Sequence, residues 1–302
     1  MKPFLSLPRQ AGFTLAEMVI SVAVLSILVL LLMAIMNTTS ATVGMSWSRL
    51  QSDQDGRLVL DRLQIDLQNM LVRPDIDYEF IQNTGNANDK LAFYATEPGY
   101  TSVTSGKRVA SVITYVVGVS STGQPVLQRG ANDGFQWIGG SGSPSVPAMI
   151  FSSAPQLNVQ NNSTIGSLEA SSLDTLNPNV FRFEISFLLK NPTNAAAPNQ
   201  AAPTLVAALP GNTPITNVAA IVVTIAGIDS QNSKIVPATS WAKLITALAD
   251  ANGTPTSGGA STATAWNATI NSPAFATTTS LPQKAAAAVR VYERYFYLNC
   301  AP

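Results

Sequence analysis

From Phe13 to Met36 the chain is apolar with a single charge, Glu17, a run long enough for a helix that crosses a hydrocarbon core of ~30 Å. Further on the hydrophobic positions thin into a stripe. Leu60, Leu63, Leu67 and Met70 or Leu71 recur at spacings of three and four, which predicts one apolar helix face. Asp53–Arg57, Arg57–Asp61 and Arg62–Asp66 stand four apart, the spacing of ion pairs on a solvated helix face. No proline falls between Pro8 and Pro74, and Arg73-Pro74 ends the pattern because the residue before proline disfavours helix. The pattern predicts one helix from about Phe13 to Val72, roughly 90 Å long at 1.5 Å per residue.

After Pro74 the period changes to that of strands. "KLAFYAT" (90–96), "VASVITYVVGV" (109–119) and "QPVLQRG" (124–130) read as successive strands joined by Gly- and Ser-containing turns. "NVFRFEISFLLK" (179–190) sets Phe181, Phe183, Ile185 and Phe187 on one face by alternation. "VAAIVVTIAGID" (218–229) reads as a buried strand, and "AVRVYERYFYL" (288–298) as a terminal one. "SWAKLITALAD" (240–250) reads as a short helix with Ser240 or Thr239 as its N-cap. Segments 191–214 and 251–283 are rich in Pro, Gly, Ala, Thr and Asn and are expected to be surface loops, decorating the head or binding a partner. A long helix followed by antiparallel strands is an α+β arrangement, with a β-rich head over 74–302.

Composition removes several functions. The chain has no histidine among its 302 residues, and with it go the commonest general base and the commonest transition-metal ligand. Basic and acidic residues number 17 each, so no electrostatic footprint for nucleic acid is present. Cys300, the single cysteine, cannot form an internal disulfide, and nothing around it marks a lipid or redox site. No phosphate-binding loop, dinucleotide fingerprint or nucleophile elbow occurs. Asp75, Asp77 and Glu79 alternate just past the helix. A calcium site needs six to eight oxygen ligands, so a solvated acidic turn is the preferred reading of these three. No enzyme activity and no cofactor are expected.

The apolar run is longer than the ~7–15 residues of a cleaved secretory signal. Lys2 and Arg9 precede it and the next charge after Glu17 is Arg49, so the short basic end is expected to stay in the cytoplasm. A simple single-pass anchor shows the same features but has no need of Glu17.

"QAGFTLAEMVISVAVL" resembles the N-terminal processing motif of type IV pilins and type II secretion pseudopilins. Gly12, Phe13, Thr14, Leu15 and Glu17 fill the family's pattern, and Ala16 takes a small or apolar slot. The resemblance implies a leader, residues 1–12, removed by a membrane-embedded prepilin peptidase that cuts after Gly12 and methylates the new amine of Phe13. It implies a membrane-spanning assembly half of the helix over 13–36, an amphipathic half over 37–73, and a structural role. Other pilin or pseudopilin subunits and an inner-membrane assembly platform are the implied partners. Glycine at the cut lets an extended backbone enter a protease cleft closely. A carboxylate four residues from Phe13 can reach a neighbouring subunit's terminal amine, which relieves the cost of an unpaired acid in an apolar phase.

"DGRLVLDRLQIDLQNMLVRPD" followed by "VITYVVG" and "PVLQRG" is similar to the head entry of J-type minor pseudopilins and PilW-like minor pilins, and to Verru_Chthon cassette protein C. The two insertions depart from compact J-type proteins. The different-class alternative is a permanently anchored extracytoplasmic module that binds or adheres through its head.

Overall fold

The computed structural model describes residues 14–72, 79–81, 87–96, 111–132, 173–190, 204–206, 217–250 and 261–298. Gly12, Phe13, Asp75, Asp77, Cys300, and the expected loop segments 191–203, 207–214 and 251–260 lie outside these residues. The architecture is α+β and pilin-like: one long N-terminal helix with an apolar stretch, followed by antiparallel sheets. The chain divides into two compact units, Met1–Ser48 and Arg49–Pro302.

Helix α1 runs Leu15–Gln68 and contributes to both units. In the first unit it is the one helix among the described residues long and apolar enough to cross a membrane. Its apolar side chains are exposed, from Leu15, Met18 and Val19 through Ile35 and Met36. Four hydroxyls inside and just beyond the apolar run are paired within the helix. Ser26 donates to the Val22 carbonyl at 2.8 Å, Thr38 to Ala34 at 2.9 Å, Thr42 to Thr38 at 2.9 Å and Ser46 to Thr42 at 3.0 Å. Each bonds the carbonyl one turn back, so a polar group enters the apolar phase already satisfied.

In the second unit two sheets enclose a core with the C-terminal part of α1. Strands β1 (Glu79–Ile81), β2 (Lys90–Ala95), β3 (Ser111–Val119), β4 (Pro125–Asn132) and β5 (Asp174–Asn177) form the first sheet in sequential order. Strands β6 (Val180–Leu189), β7 (Thr204–Val206), β8 (Val218–Ile228) and β9 (Val289–Tyr297) form the second, ordered β7-β6-β8-β9. All pairings are antiparallel. Val59, Leu60, Leu63 and Leu67 of α1 pack with Leu91, Ile113, Phe183, Ile185, Val223 and Ile225. The predicted helical stripe is therefore the head's core face.

α1 ends at Gln68, four residues short of the expected Val72, because the backbone there joins a strand instead. Met70 bridges Ala95, and the Leu71 amide donates to the Tyr94 carbonyl at 2.8 Å. The expected solvated ion pairs also resolve differently. Asp53 accepts from the Tyr292 hydroxyl at 2.8 Å, Asp55 from the Asn179 amide at 2.6 Å, and Asp61 from Arg294 at 2.6 Å. Arg62 and Asp66 do pair, at 3.1 Å, but Asp66 is fully buried rather than solvated. It also takes two hydrogen bonds from Arg129, at 2.6 and 3.0 Å, and one from the Tyr115 hydroxyl. A single carboxylate thus ties α1 to β3 and β4.

Phe181 was expected to share a face with Phe183, Ile185 and Phe187. The β6–β8 register shifts between Val180 and Arg182, and this bulge turns Phe181 to the opposite side of the sheet. There it meets Trp241 at 5.9 Å between ring centroids, in a second apolar cluster. After α2 (Ser230–Ser233), that cluster is roofed by α3 (Ser240–Ala247), α4 (Thr262–Ile270), α5 (Phe275–Thr279) and α6 (Gln283–Ala286). Residues 261–283 are thus a helical cover and not the surface loop that composition suggested. Trp266, Phe275 and Leu281 anchor it, and the Ser261 hydroxyl caps α4 by accepting from the Thr264 amide at 3.3 Å. In α3 the cap position is Thr239 but its side chain makes no capping bond; Ser240 donates to the Ser280 carbonyl at 3.1 Å instead. Within segment 191–214, Thr204–Val206 is strand β7.

Beside the second cluster sits Arg182, fully buried. It donates to the carbonyls of Leu248 (3.1 Å) and Ala87 (2.5 Å) and pairs with Asp250 (2.5 Å) and Glu184 (2.9 Å). Its guanidinium lies 5.4 Å from the Trp266 ring centroid, a cation–π arrangement. An uncompensated arginine would be expelled from such a site, so these partners are a condition of the fold.

Candidate functional site: the start of α1

The residues singled out by the sequence cluster at the first turn of α1. Thr14 precedes the helix and Glu17 lies in its first turn. The Thr14 amide donates to Glu17 Oε2 at 2.9 Å, and the Thr14 hydroxyl donates to the same oxygen at 3.0 Å. In return the Glu17 amide donates to Thr14 Oγ1 at 3.3 Å. This is a reciprocal capping box, in which a Thr-x-x-Glu spacing satisfies two amides that the helix start leaves without partners. The carboxylate also sits where the positive end of the helix dipole favours it.

Thr14 and Glu17 stand three apart, the capping-box spacing, a pairing not expected from a processing motif in which Glu17 is also an assembly contact. The geometry gives Glu17 two distinct oxygens. Oε2 is committed to Thr14, while Oε1 has no hydrogen bond among the described residues. Among the described residues one oxygen of the carboxylate is therefore uncommitted while the other holds the helix start. Glu17, Ile20, Ser21, Val24, Leu25 and Leu28 line one shallow groove along the helix. The acid thus stands at the end of an apolar stripe suited to packing against another apolar helix. The Ser21 hydroxyl donates to the Glu17 carbonyl at 2.5 Å and adds no free polar group to that stripe.

Thr14, Leu15 and Glu17 are thus together at one exposed turn, whereas Gly12 and Phe13 lie outside the described residues. Of the acidic triplet, Glu79 opens β1. Among the described residues no group of three or more His, Cys, Asp or Glu side chains is placed to hold a metal ion.

A family model described as the prokaryotic N-terminal methylation motif matches residues 7–33. Together with an α+β pilin-like fold, that motif supports a type IV pilin-like protein of the processed, structural kind. The matched stretch includes Gly12 through Glu17 and most of the apolar run, which is consistent with anchoring in an inner membrane. Comparison with curated proteins and with solved structures returned no match.

Proposed function

We propose that this chain is a minor pilin or pseudopilin subunit, cut after Gly12 by a prepilin peptidase, methylated on Phe13, and assembled into a type IV pilus or type II secretion pseudopilus. The observation that carries this reading is the methylation motif over residues 7–33, set on a helix whose first residues are apolar and exposed. Cleavage turns the Phe13 nitrogen from an amide into a cationic amine. Glu17 Oε1 then has a partner to offer a neighbouring subunit, and the groove from Ile20 to Leu28 supplies the apolar contact beside it. Pairing satisfies the acid only when a second helix is present, which makes the charge a register mark for assembly.

The subunit performs no chemistry on this reading. It is the substrate of the peptidase and is moved by an inner-membrane assembly platform, with its head on the extracytoplasmic side. Its large head and its likeness to J-type and PilW-like head entries favour a minor position over the bulk of a filament.

Intact mass of the protein taken from membranes with an active prepilin peptidase tests the reading. The expected species lacks residues 1–12 and carries one added methyl group. A full-length, unmodified chain would overturn it in favour of a permanently anchored binding module.

A further inference from the structure

The four edges of the two sheets are not alike. Among the described residues β1 and β7 have three residues each and β5 has four, with a register shift against β4. Short or bulged edges are how soluble folds avoid unwanted pairing. The remaining edge is β9, nine residues long, paired with β8 in unbroken register from Val289 to Tyr297. It contains no proline and no bulge.

Among the described residues the edge is also uncovered. Every residue of β8 is buried apart from one of intermediate exposure, whereas β9 is partly exposed over most of its length, with Tyr295 38% and Tyr297 68% exposed. Among the described residues no strand pairs with its outer side. The Leu298 amide donates to the Ala219 carbonyl, which fixes the parity of the ladder. Even-numbered residues of β9 bond to β8, so the amides and carbonyls of Val291, Glu293, Tyr295 and Tyr297 point away from it.

Two of the three charged side chains on β9 are also bonded within the head. Arg294 binds Asp61, and Glu293 accepts from Thr224 Oγ1 at 2.9 Å and from the Ala263 amide at 3.0 Å. Arg290 donates to the carbonyls of Ala287 and Val289 and has no carboxylate partner among the described residues. A second copy of β9 is a poor occupant. Long antiparallel self-pairings that keep the two faces apart set Arg290 opposite Arg294, Glu293 opposite its copy, or Arg294 opposite its copy. Like charges directly opposite destabilise a pair.

We propose that β9 is a docking edge for an extended segment of a different polypeptide, added as a fifth strand to the second sheet. The chemistry that fits is a strand of about nine residues with an acidic side chain beside Arg290 and apolar side chains beside Tyr295 and Tyr297. Main-chain hydrogen bonds supply the attachment and the side-chain neighbours select the partner. This inference concerns the head alone and does not depend on N-terminal processing.

The test uses the full chain in detergent micelles and a nine-residue synthetic peptide of alternating valine and threonine with one glutamate. Residue-resolved amide exchange is measured with and without peptide. The expected result is at least about tenfold slower exchange at Val291, Glu293, Tyr295 and Tyr297, with no change at Tyr292 and Arg294, whose amides β8 already holds. Tyr295→Pro, which removes an outward amide and spares the β8 ladder, should abolish that protection with an unchanged melting temperature, while Tyr295→Thr keeps it. Unchanged exchange at the odd-numbered amides overturns the proposal. So does protection of the same amides without peptide that grows with protein concentration, which would assign the edge to a second copy.

Discussion

Removing the charge of Asp66 without changing its shape should cost the head about 3 kcal/mol at neutral pH. Asp66→Asn leaves Arg129 in place with its side chain only 15% exposed, an almost buried cation that has lost its counter-ion. Breaking a buried pair from one side costs about 3–5 kcal/mol, and residual solvent at Arg129 argues for the lower end. Arg62, 35% exposed, adds about 0.5 kcal/mol at most as a surface pair. The Tyr115 hydroxyl keeps an acceptor in the amide oxygen, so it contributes little to the difference. Equilibrium urea unfolding of the detergent-solubilised chain, followed by Trp241 and Trp266 fluorescence, reads the loss. In the double variant Asp66→Asn/Arg129→Met, neither ion remains to be stranded. It should fall short of the sum of the single effects by about 2 kcal/mol. A single-variant loss below about 1 kcal/mol, or additivity within about 0.5 kcal/mol, would refute the view of Asp66 as a buried tie between helix and sheet.

Three further outcomes follow from the geometry. Gly56→Ala should destabilise by about 1–3 kcal/mol in thermal unfolding, because an added Cβ would stand 2.7 Å from the Tyr292 ring. In an uncrowded helix the same change stabilises by about 1 kcal/mol, so the sign alone decides. Ser280→Gly should raise the melting temperature by the equivalent of about 0.5–1 kcal/mol. Ser280 holds a left-handed φ of 56°, costly for a side-chain-bearing residue, at the C-cap of α5. Stability should hold up to about pH 10 and fall above it. Burial and the Asp66 carboxylate push the Tyr115 phenol well above its ordinary range, and burial and Asp53 do the same to Tyr292. With folded pKa values above the unfolded ~10, the neutral phenols' contribution is intact below that pH and is lost as pH rises through it. Tyr115→Phe should flatten the alkaline decline in melting temperature.

The apolar start of α1 and the six longer strands were readable because each depends on local sequence, whereas the short strands β1, β5 and β7 carry too few residues to show a period. An apolar run, a Gly-Phe-Thr-Leu-x-Glu word and period-two alternation need no distant partner to be recognised. The misread residues are those whose environment comes from far along the chain. Asp66 looked like half of an i,i+4 surface pair, and only Tyr115 and Arg129, some fifty to sixty residues on, make it a buried acid. Phe181 obeyed the alternation of its strand until a one-residue bulge, invisible in the pattern, reversed it. The α4–α6 cover was masked by threonine, alanine and proline, which say "loop" on average. Its signals were sparse but specific: a Ser261 cap and three large apolar anchors, Trp266, Phe275 and Leu281. At the N-terminus the Thr-x-x-Glu spacing of the helix cap stands in the sequence inside the processing word.

The ties between the C-terminal part of α1 and the sheets have a mechanical meaning. Asp53, Asp55, Asp61 and Asp66 fasten the helix at points spread along its length to Tyr292, Asn179, Arg294 and the Arg129–Tyr115 pair. Tension entering along the helix at Arg49 loads these fasteners side by side, in shear, together with the leucine stripe beneath them. Fasteners in shear share a load and must fail together, whereas the same bonds pulled from one end would open in turn like a zip. This part of the helix and the sheets therefore resist being slid apart as one piece.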